Sequence, residues 1–451
     1  MRNVDATKGP LLKSIVLYTI PLVITSIVQE LFTAVDKAVL GNLADTTAVA
    51  SVGLTGIITS ILTVGFIGIS SGAGTVLARY VGQRDGKRAR DTMNTALLSS
   101  LIFGAIVAAL GYFLSPALLR MVDCPDDCYP HSLLYVRIYF LTAPIMLFYN
   151  YGASILRTLG DTKGPLTYIM IGGAVNVVLN IILCIFLPWK VAAVAIATAV
   201  SNLISAVLIL LRLLRFEGDM RLSIRDMRFK LNSFILMIKF GIPAALSALV
   251  TPIANIQIAS AINSFGVDAV AGNSAAITLQ SLTAATYSGF GVAAMTFMGQ
   301  NIGAEHSERV RKSFWYCLIA AVAVGQTLGI VFYIFGEFFL GIILGSGAAL
   351  AIEYGMVRLL YIGLFSFLFV LCGVLGNALQ AYGYPFFGSI NSIIFTLLFR
   401  VAWMRYVYPL NPVYSTVMLC FTVSNLLNAL FYAAACAVVH VRYKRGIYKK
   451  I

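Results

Sequence analysis

Asp36 and Lys37 stand side by side in "ELFTAVDKAVLGNL", Glu30 to Leu43, inside an apolar run that begins near Leu11. An ionisable residue in such a run is costly and marks either a functional site or a fixed ion pair. A carboxylate there can take up and release a proton or a monovalent cation. Adjacent residues on one helix point about 100° apart, so Asp36 and Lys37 do not pair with each other. One of them faces a cavity; the other snorkels or meets a partner on another helix. Asp36 precedes Gly41 by five residues, which puts it roughly 7–8 Å from the helix end at 1.5 Å per residue. That depth desolvates the carboxylate yet leaves it within reach of water.

Other polar residues have the spacing to join it. "GGAVNVVLNIILC" sets Asn176 and Asn180 one helical turn apart, so two carboxamides share one stripe and offer oxygen ligands without added charge. Thr198 adds a hydroxyl from the next run, and Tyr135 and Tyr139 again stand at i and i+4. Taken singly, each is explained as polar glue between helices; taken with Asp36 they define one polar pocket in the first half of the chain. The second half differs. Gln257 or Ile258 occupies the position equivalent to Asp36, Asp268 falls at a helix start, and the deep charges are Arg358 and Arg400. Arg400 is expected to be anchored by carbonyl groups or by Glu353, in a packing or a substrate role.

The elements that must hold these residues follow from composition. Of 451 residues, 59% are hydrophobic and only 11% are charged, against about 25% charged in soluble domains. Crossing the hydrocarbon core takes roughly 20 apolar residues, and twelve such runs succeed one another from about 11–40 to 413–439. They are too long and too uniformly apolar for a closed barrel. The first is too long for a signal peptide and lacks a cleavage site. The net charge of +14 is a matter of topology. Of 32 Lys and Arg, 25 fall in the tails and the loops of one side, and only Arg120, Lys190 and Arg405 on the other. The positive-inside rule places both termini in the cytoplasm and removes any need for a nucleic-acid partner.

The chain is also duplicated. "TIPLVITSIVQ" at 19–29 aligns with "GIPAALSALVT" at 241–251, "GQRDG" at 82–86 with "GQNIG" at 299–303, and "LRTLGDTKGPL" at 156–166 with "LQAYGYPFFGS" at 379–389. Six helices are followed by six in the same orientation, related by an axis along the membrane normal. The halves are 1–212 and 233–451, joined by a basic stretch at 213–232 that reads as a short amphipathic helix on the cytoplasmic surface. No nucleotide-binding loop of the GxxxxGK[ST] type occurs, so any pumping draws on an ion gradient. His131, His306 and His440 are widely spread, which argues against an enzyme. Cys124 and Cys128 in "DCPDDC" leave open a disulfide, a weak metal site with His131, or an ordinary acidic loop.

These features together resemble the MATE family, the multidrug and toxic compound extrusion transporters, in its bacterial branch. The resemblance covers essentially the whole chain. It rests on the Asp36–Gly41 segment, "GQRDG", "LRTLGDTKGPL", Asn176 with Asn180, and the duplication. It implies an all-α, twelve-helix, V-shaped two-lobe membrane protein that is not an enzyme and needs no cofactor. Its activity would be export of organic cations or amphipathic compounds in exchange for H⁺ or Na⁺, by a monomer in the bacterial plasma membrane. It places a cation site at Asp36, Asn176, Asn180 and Thr198, with Tyr139 or Tyr135 beside them. Many relatives carry an acid at the position of Asn180, so one carboxylate stands here, with Na⁺ possible at Asp36, Asn176 and Asn180. Neutralising Asp36 would let the first helix bend near Pro21. A flippase for lipid-linked sugars has a similar plan but calls for a more cationic central cavity.

Overall fold

Hydrocarbon offers no hydrogen bonds to a backbone, so each apolar run must close its own as a helix. The computed structural model describes residues 4–43, 46–122, 124–187, 189–216, 220–345 and 347–444, without the side chains of 37, 38, 40, 42, 43, 46–50 and 444. Among the described residues there is no strand. The first half comprises α1 (Leu11–Leu43), α2 (Thr46–Gly82), α3 (Gly86–Met121), α4 (Tyr129–Leu141), α5 (Ala143–Thr158), α6 (Lys163–Phe186) and α7 (Lys190–Leu214). The second comprises α8 (Leu231–Asn263), α9 (Val267–Gly303), α10 (Ser307–Ile334), α11 (Gly336–Leu344), α12 (Ala349–Arg358), α13 (Ser366–Tyr382), α14 (Phe386–Asn391), α15 (Phe399–Ala402) and α16 (Tyr414–Lys444).

Nine stretches of helix are long and apolar enough to cross a membrane, and two bent pairs bring the number to eleven among the described residues. The expected run at 268–298 is α9, whose 37 residues are ample in length but include many Ser, Thr, Asn and Gly. The two bends have local causes. Pro144 near the start of α5 cannot donate to the preceding turn, and α4 meets α5 at 46°. The second bend, 47°, separates the α12 span from α13. There Gln326 of α10 donates to the Leu364 carbonyl at 2.7 Å and accepts from the Phe367 amide at 2.9 Å and the Ser366 hydroxyl at 3.1 Å. One side chain thus repairs a broken backbone inside the membrane.

The chain packs as two compact units, Met1–Asp5 with Ile24–Ala245, and Ala6–Val23 with Leu246–Ile451. The cuts therefore fall within α1 and α8. In the first unit α2 and the start of α8 lie backbone to backbone: a Cβ at Gly72 would come within 2.4 Å of the Gly241 nitrogen, an approach only small residues allow. In the second, the first turns of α1 are held by Tyr18, whose hydroxyl donates to Thr296 at 3.0 Å and whose ring meets Phe297 edge-on. Arg309 and Asn301 donate to the Ala6 carbonyl just before them.

Two sequence motifs act as fasteners. Asp85 of "GQRDG" caps α3 by accepting from the Arg88 amide at 3.0 Å. Asp161 of "LRTLGDTKGPL" accepts from the Gly164 amide at 2.8 Å, at the start of α6, and pairs with Arg212 near the end of α7 at 2.9 Å. The stretch 213–232, expected to hold a short amphipathic helix, is described apart from residues 217–219. Between α7 and α8 the described residues include a 3₁₀ turn, Ile224–Asp226. In this stretch Leu222 is buried, its amide bonded to the Leu213 carbonyl.

Gln326→Leu removes the partner of two part-buried backbone groups at the α12–α13 break and one of the two contacts of the Ser366 hydroxyl. The expected cost is about 1–3 kcal/mol, read as a lowered midpoint of thermal unfolding in detergent; an unchanged midpoint would mean the break is stabilised elsewhere.

Candidate functional site

The first unit gathers four of the expected residues from three helices. α6 comes against α1 because Gly173 has no side chain: a Cβ there would lie 1.8 Å from the Phe32 ring. Phe32 is one turn before Asp36 on α1. On its other side α6 meets α7 through Gly172, where a Cβ would lie 2.2 Å from the Ser205 hydroxyl. With the Asp161 fastener at one end and these glycines along its length, α6 presents Asn176 and Asn180 between Asp36 and Thr198.

A directional chain of hydrogen bonds results. Thr198 donates to the Val194 carbonyl at 2.9 Å and accepts from Asn176 Nδ2 at 3.5 Å. Asn176 Oδ1 accepts from Asn180 Nδ2 at 3.1 Å, and the same Nδ2 donates to Asp36 Oδ1 at 2.6 Å. Asn180 is fully buried and Asn176 is 4% exposed. Both hydrogens of the Asn180 amide are used, so its carbonyl oxygen is left over, buried and without a hydrogen-bond partner. The second carboxylate oxygen of Asp36 likewise has no partner among the described residues. An unpaired carboxylate beside an orphaned carboxamide oxygen attracts a proton or a hard cation, since buried acceptors left unmade are expensive and such cations prefer oxygen ligands.

The tyrosines stand differently. Tyr135 and Tyr139 stack at 6.2 Å and pack beside Cys184 and Val194, one turn from Asn180 and Thr198. The Tyr139 hydroxyl pairs with Thr63 of α2 at 2.8 Å instead of with the carboxylate. Thr63 escaped the sequence reading, although Thr55, Thr59 and Thr63 form an i, i+4, i+8 stripe that signals it. The Lys37 side chain lies outside the described residues, so its expected partner is not assigned. Cys124 and Cys128 are both free thiols.

In the second unit Arg400 is anchored by side chains and not by Glu353, which is exposed. Its Nε donates to Ser424 at 3.1 Å and a terminal nitrogen to the Asn255 carbonyl oxygen at 2.9 Å. A long, exposed acid side chain on α12 is better solvated where it is, and the Asn255 dipole supplies the acceptor.

Duplicated apolar helices, with a carboxylate on one held by a carboxamide from another, mark a multi-pass membrane protein. Comparison with known proteins specifies it. The family model MatE matches residues 21–182 and again 243–403, starting at Pro21 and Pro243, a pair aligned by the internal repeat. The chain belongs to the MATE family of multidrug efflux transporters. It is 27% identical over 353 residues to the probable multidrug resistance protein YpnP of Bacillus subtilis (strain 168), covering 78% of each chain. It is 26% identical over 287 residues to a FAD transporter of Shewanella oneidensis, covering 63% of each. Among solved structures, the outward-facing conformation of a multidrug resistance MATE family transporter of the MOP superfamily matches with TM-score 0.87. That match covers 97% of this chain and 99% of the other at 22% identity. A MATE crystallised in complex with MaL6 gives 0.88 over the same shares at 21%. Identity this low speaks to fold alone.

Gly173→Ala forces a methyl group into the Phe32 ring, an overpacking cost of about 1–3 kcal/mol, and displaces Asn180 from Asp36. Dye transport by vesicles is expected to fall in this variant and to recover in Gly173→Ala combined with Phe32→Leu. Full transport by the single variant would show that the Asn180–Asp36 contact does not depend on this close approach.

Proposed function

We propose that this chain is a secondary active exporter that exchanges organic cations or amphipathic compounds for H⁺ or Na⁺ by alternating access. It works as a monomer in the bacterial plasma membrane, with both termini in the cytoplasm. The observation that carries the reading is Asn180 Nδ2 held 2.6 Å from Asp36 Oδ1, with the Asn180 carbonyl oxygen buried and unpartnered. The amide chain from Thr198 orients Asn180 so that it steadies the charged carboxylate while leaving two oxygens for an incoming ion.

The cycle follows from charge. Ion-free Asp36 is a half-buried anion with no counter-charge among the described residues and is stabilised by a cationic cargo. Binding H⁺ or Na⁺ cancels that charge, so ion and cargo favour different states, which is the condition for coupling. α1 links the site to the rest of the chain. Its first turns belong to one packing unit, Asp36 to the other, and Pro21 lies between Tyr18 and Asp36. The proline lacks the amide that would stiffen that turn, so neutralising Asp36 lets α1 bend there and repack. When one ion is exchanged for one monovalent cationic cargo no net charge moves, so the membrane potential cancels and the ion's own concentration ratio drives export, about tenfold cargo accumulation per tenfold ion gradient. Because one relative is named a FAD transporter, anionic aromatic compounds belong among the cargoes to be tried.

The test is uptake of a cationic dye by proteoliposomes under imposed pH or Na⁺ gradients. Wild type should accumulate dye, about tenfold for a gradient of one pH unit or a tenfold Na⁺ ratio, and Asp36→Asn should only equilibrate it. Full gradient-driven accumulation by Asp36→Asn would refute the coupling role. Asn180→Asp adds a second carboxylate and is expected to shift the preference toward Na⁺; an unchanged ion preference would remove Asn180 from the site.

A further inference from the structure

The two guanidinium groups of the second unit share an arrangement that packing alone does not require. Arg358 and Arg400 are 6% and 3% exposed, and both lie over the ring of Phe421, at 5.1 and 4.7 Å from its centre. Every hydrogen-bond partner they have is neutral. Arg358 donates from one terminal nitrogen to Asn273 at 2.8 Å and toward the Met418 sulfur, and from the other to Gln280 at 2.8 Å. Arg400 uses Ser424 and Asn255. No ion pair joins either to an acid among the described residues. Arginine does not shed its proton, so two positive charges converge on one aromatic ring inside an apolar bundle without a counter-charge. Buried charges are tolerated when paired, and here the protein supplies only dipoles and a ring face.

Room for a counter-charge exists beside Arg358. A cavity of about 20 Å³ is lined by Arg358, Gln280, Thr283, Tyr287 and Ser366 among apolar neighbours, space for a water-sized or halide-sized particle. Arg358 Nε is buried and without a hydrogen-bond partner, and the Thr283 hydroxyl has none among the described residues. Thus two residues with unused donors, Arg358 and Thr283, line this cavity, and no acid does. The backbone is unusual at both arginines as well. π-helical segments follow Arg358 (Leu359–Gly363) and flank Arg400 on both sides (Ser392–Leu398 and Trp403–Val407). Such segments occur mostly at functional sites.

We propose that the cavity at Arg358 is an anion site, filled by a halide or by the carboxylate or similar anionic group of a transported compound. Arg358 supplies the charge and the Nε donor, Thr283 a hydroxyl donor, and Arg400 a second positive charge across Phe421. The site lies wholly within the second unit and is independent of the ion reading at Asp36.

The test uses the purified full-length protein in nanodiscs, with chloride exchanged for gluconate at constant ionic strength and the thermal unfolding midpoint as readout. Wild type should show a saturable rise with chloride, and Arg358→Gln should lose it. Should Arg358→Gln fail to fold, the near-isosteric Thr283→Val carries the test. It removes one donor and should raise the half-saturating chloride concentration about tenfold or more, as loss of a hydrogen bond to a charged group does. Benzoate separates the sources. If it raises the half-saturating chloride concentration by competition, the site accepts the anionic group of an organic compound; if it does not, the occupant is a free halide. Either result supports the site. A wild-type response that does not saturate, or one unchanged in Arg358→Gln and Thr283→Val, overturns it.

Discussion

A polar group in hydrocarbon has only the protein to turn to, and nearly every structural choice in this chain answers that constraint. The backbone answers it by being helical throughout the described spans. Where a helix breaks, a side chain from a neighbour takes over, as Gln326 does for the amide of Phe367 and the carbonyl of Leu364. Charges answer it more locally. Arg212 and Asp161 neutralise each other at 2.9 Å, whereas Asp36, Arg358 and Arg400 are met by amides, hydroxyls and a ring instead of by opposite charge. Dipoles steady a charge without cancelling it, so such a group still has an affinity to spend on something that arrives from outside.

The two units use this device with opposite sign. In the first, a carboxylate is the end of a hydrogen-bond chain that starts at the Val194 carbonyl and runs through Thr198, Asn176 and Asn180. In the second, guanidinium groups are the donors and Asn255, Asn273 and Gln280 turn their carbonyl oxygens inward. The same residue type, a carboxamide, serves both because it offers a donor at one end and an acceptor at the other. Duplication of the helices therefore did not mean duplication of the chemistry. Where the first half has Asp36, the second has Gln257 or Ile258, and its charges arise instead on α12 and α15.

Helix contacts set the precision of these sites. Gly173 against Phe32 and Gly172 against Ser205 bring α6 close enough to α1 and α7 for short carboxamide side chains to reach across. Without such approach, Asn176 and Asn180 would bond to their own backbone, as Asn150 and Asn377 do to carbonyls four residues earlier. The motifs "GQRDG" and "LRTLGDTKGPL" act at a distance from the sites, capping α3 and pinning α6 to α7, which holds the register that the glycines exploit.

Much of this was legible in the residues alone. Runs of apolar residues have one solution in a bilayer, so the helices, their approximate limits and the duplication could be read directly. An acid in such a run is conspicuous for the same energetic reason, and i, i+4 spacing placed Asn176 and Asn180 on one stripe with no knowledge of their partners. What the sequence could not show was pairing. Tyr139 reads as a neighbour of Asp36 but bonds to Thr63, and Arg400 reads as a partner of carbonyl groups or of Glu353, of which the structure takes the first, in the side chain of Asn255, and adds Ser424. Periodicity along one helix says which face a residue occupies; only the packing of one helix on another decides what that face meets. Thus the composition determined a membrane protein of repeated helices with a carboxylate in its first half. The tertiary structure decided which oxygens and donors remain unspent, because that depends on contacts between segments far apart in the chain.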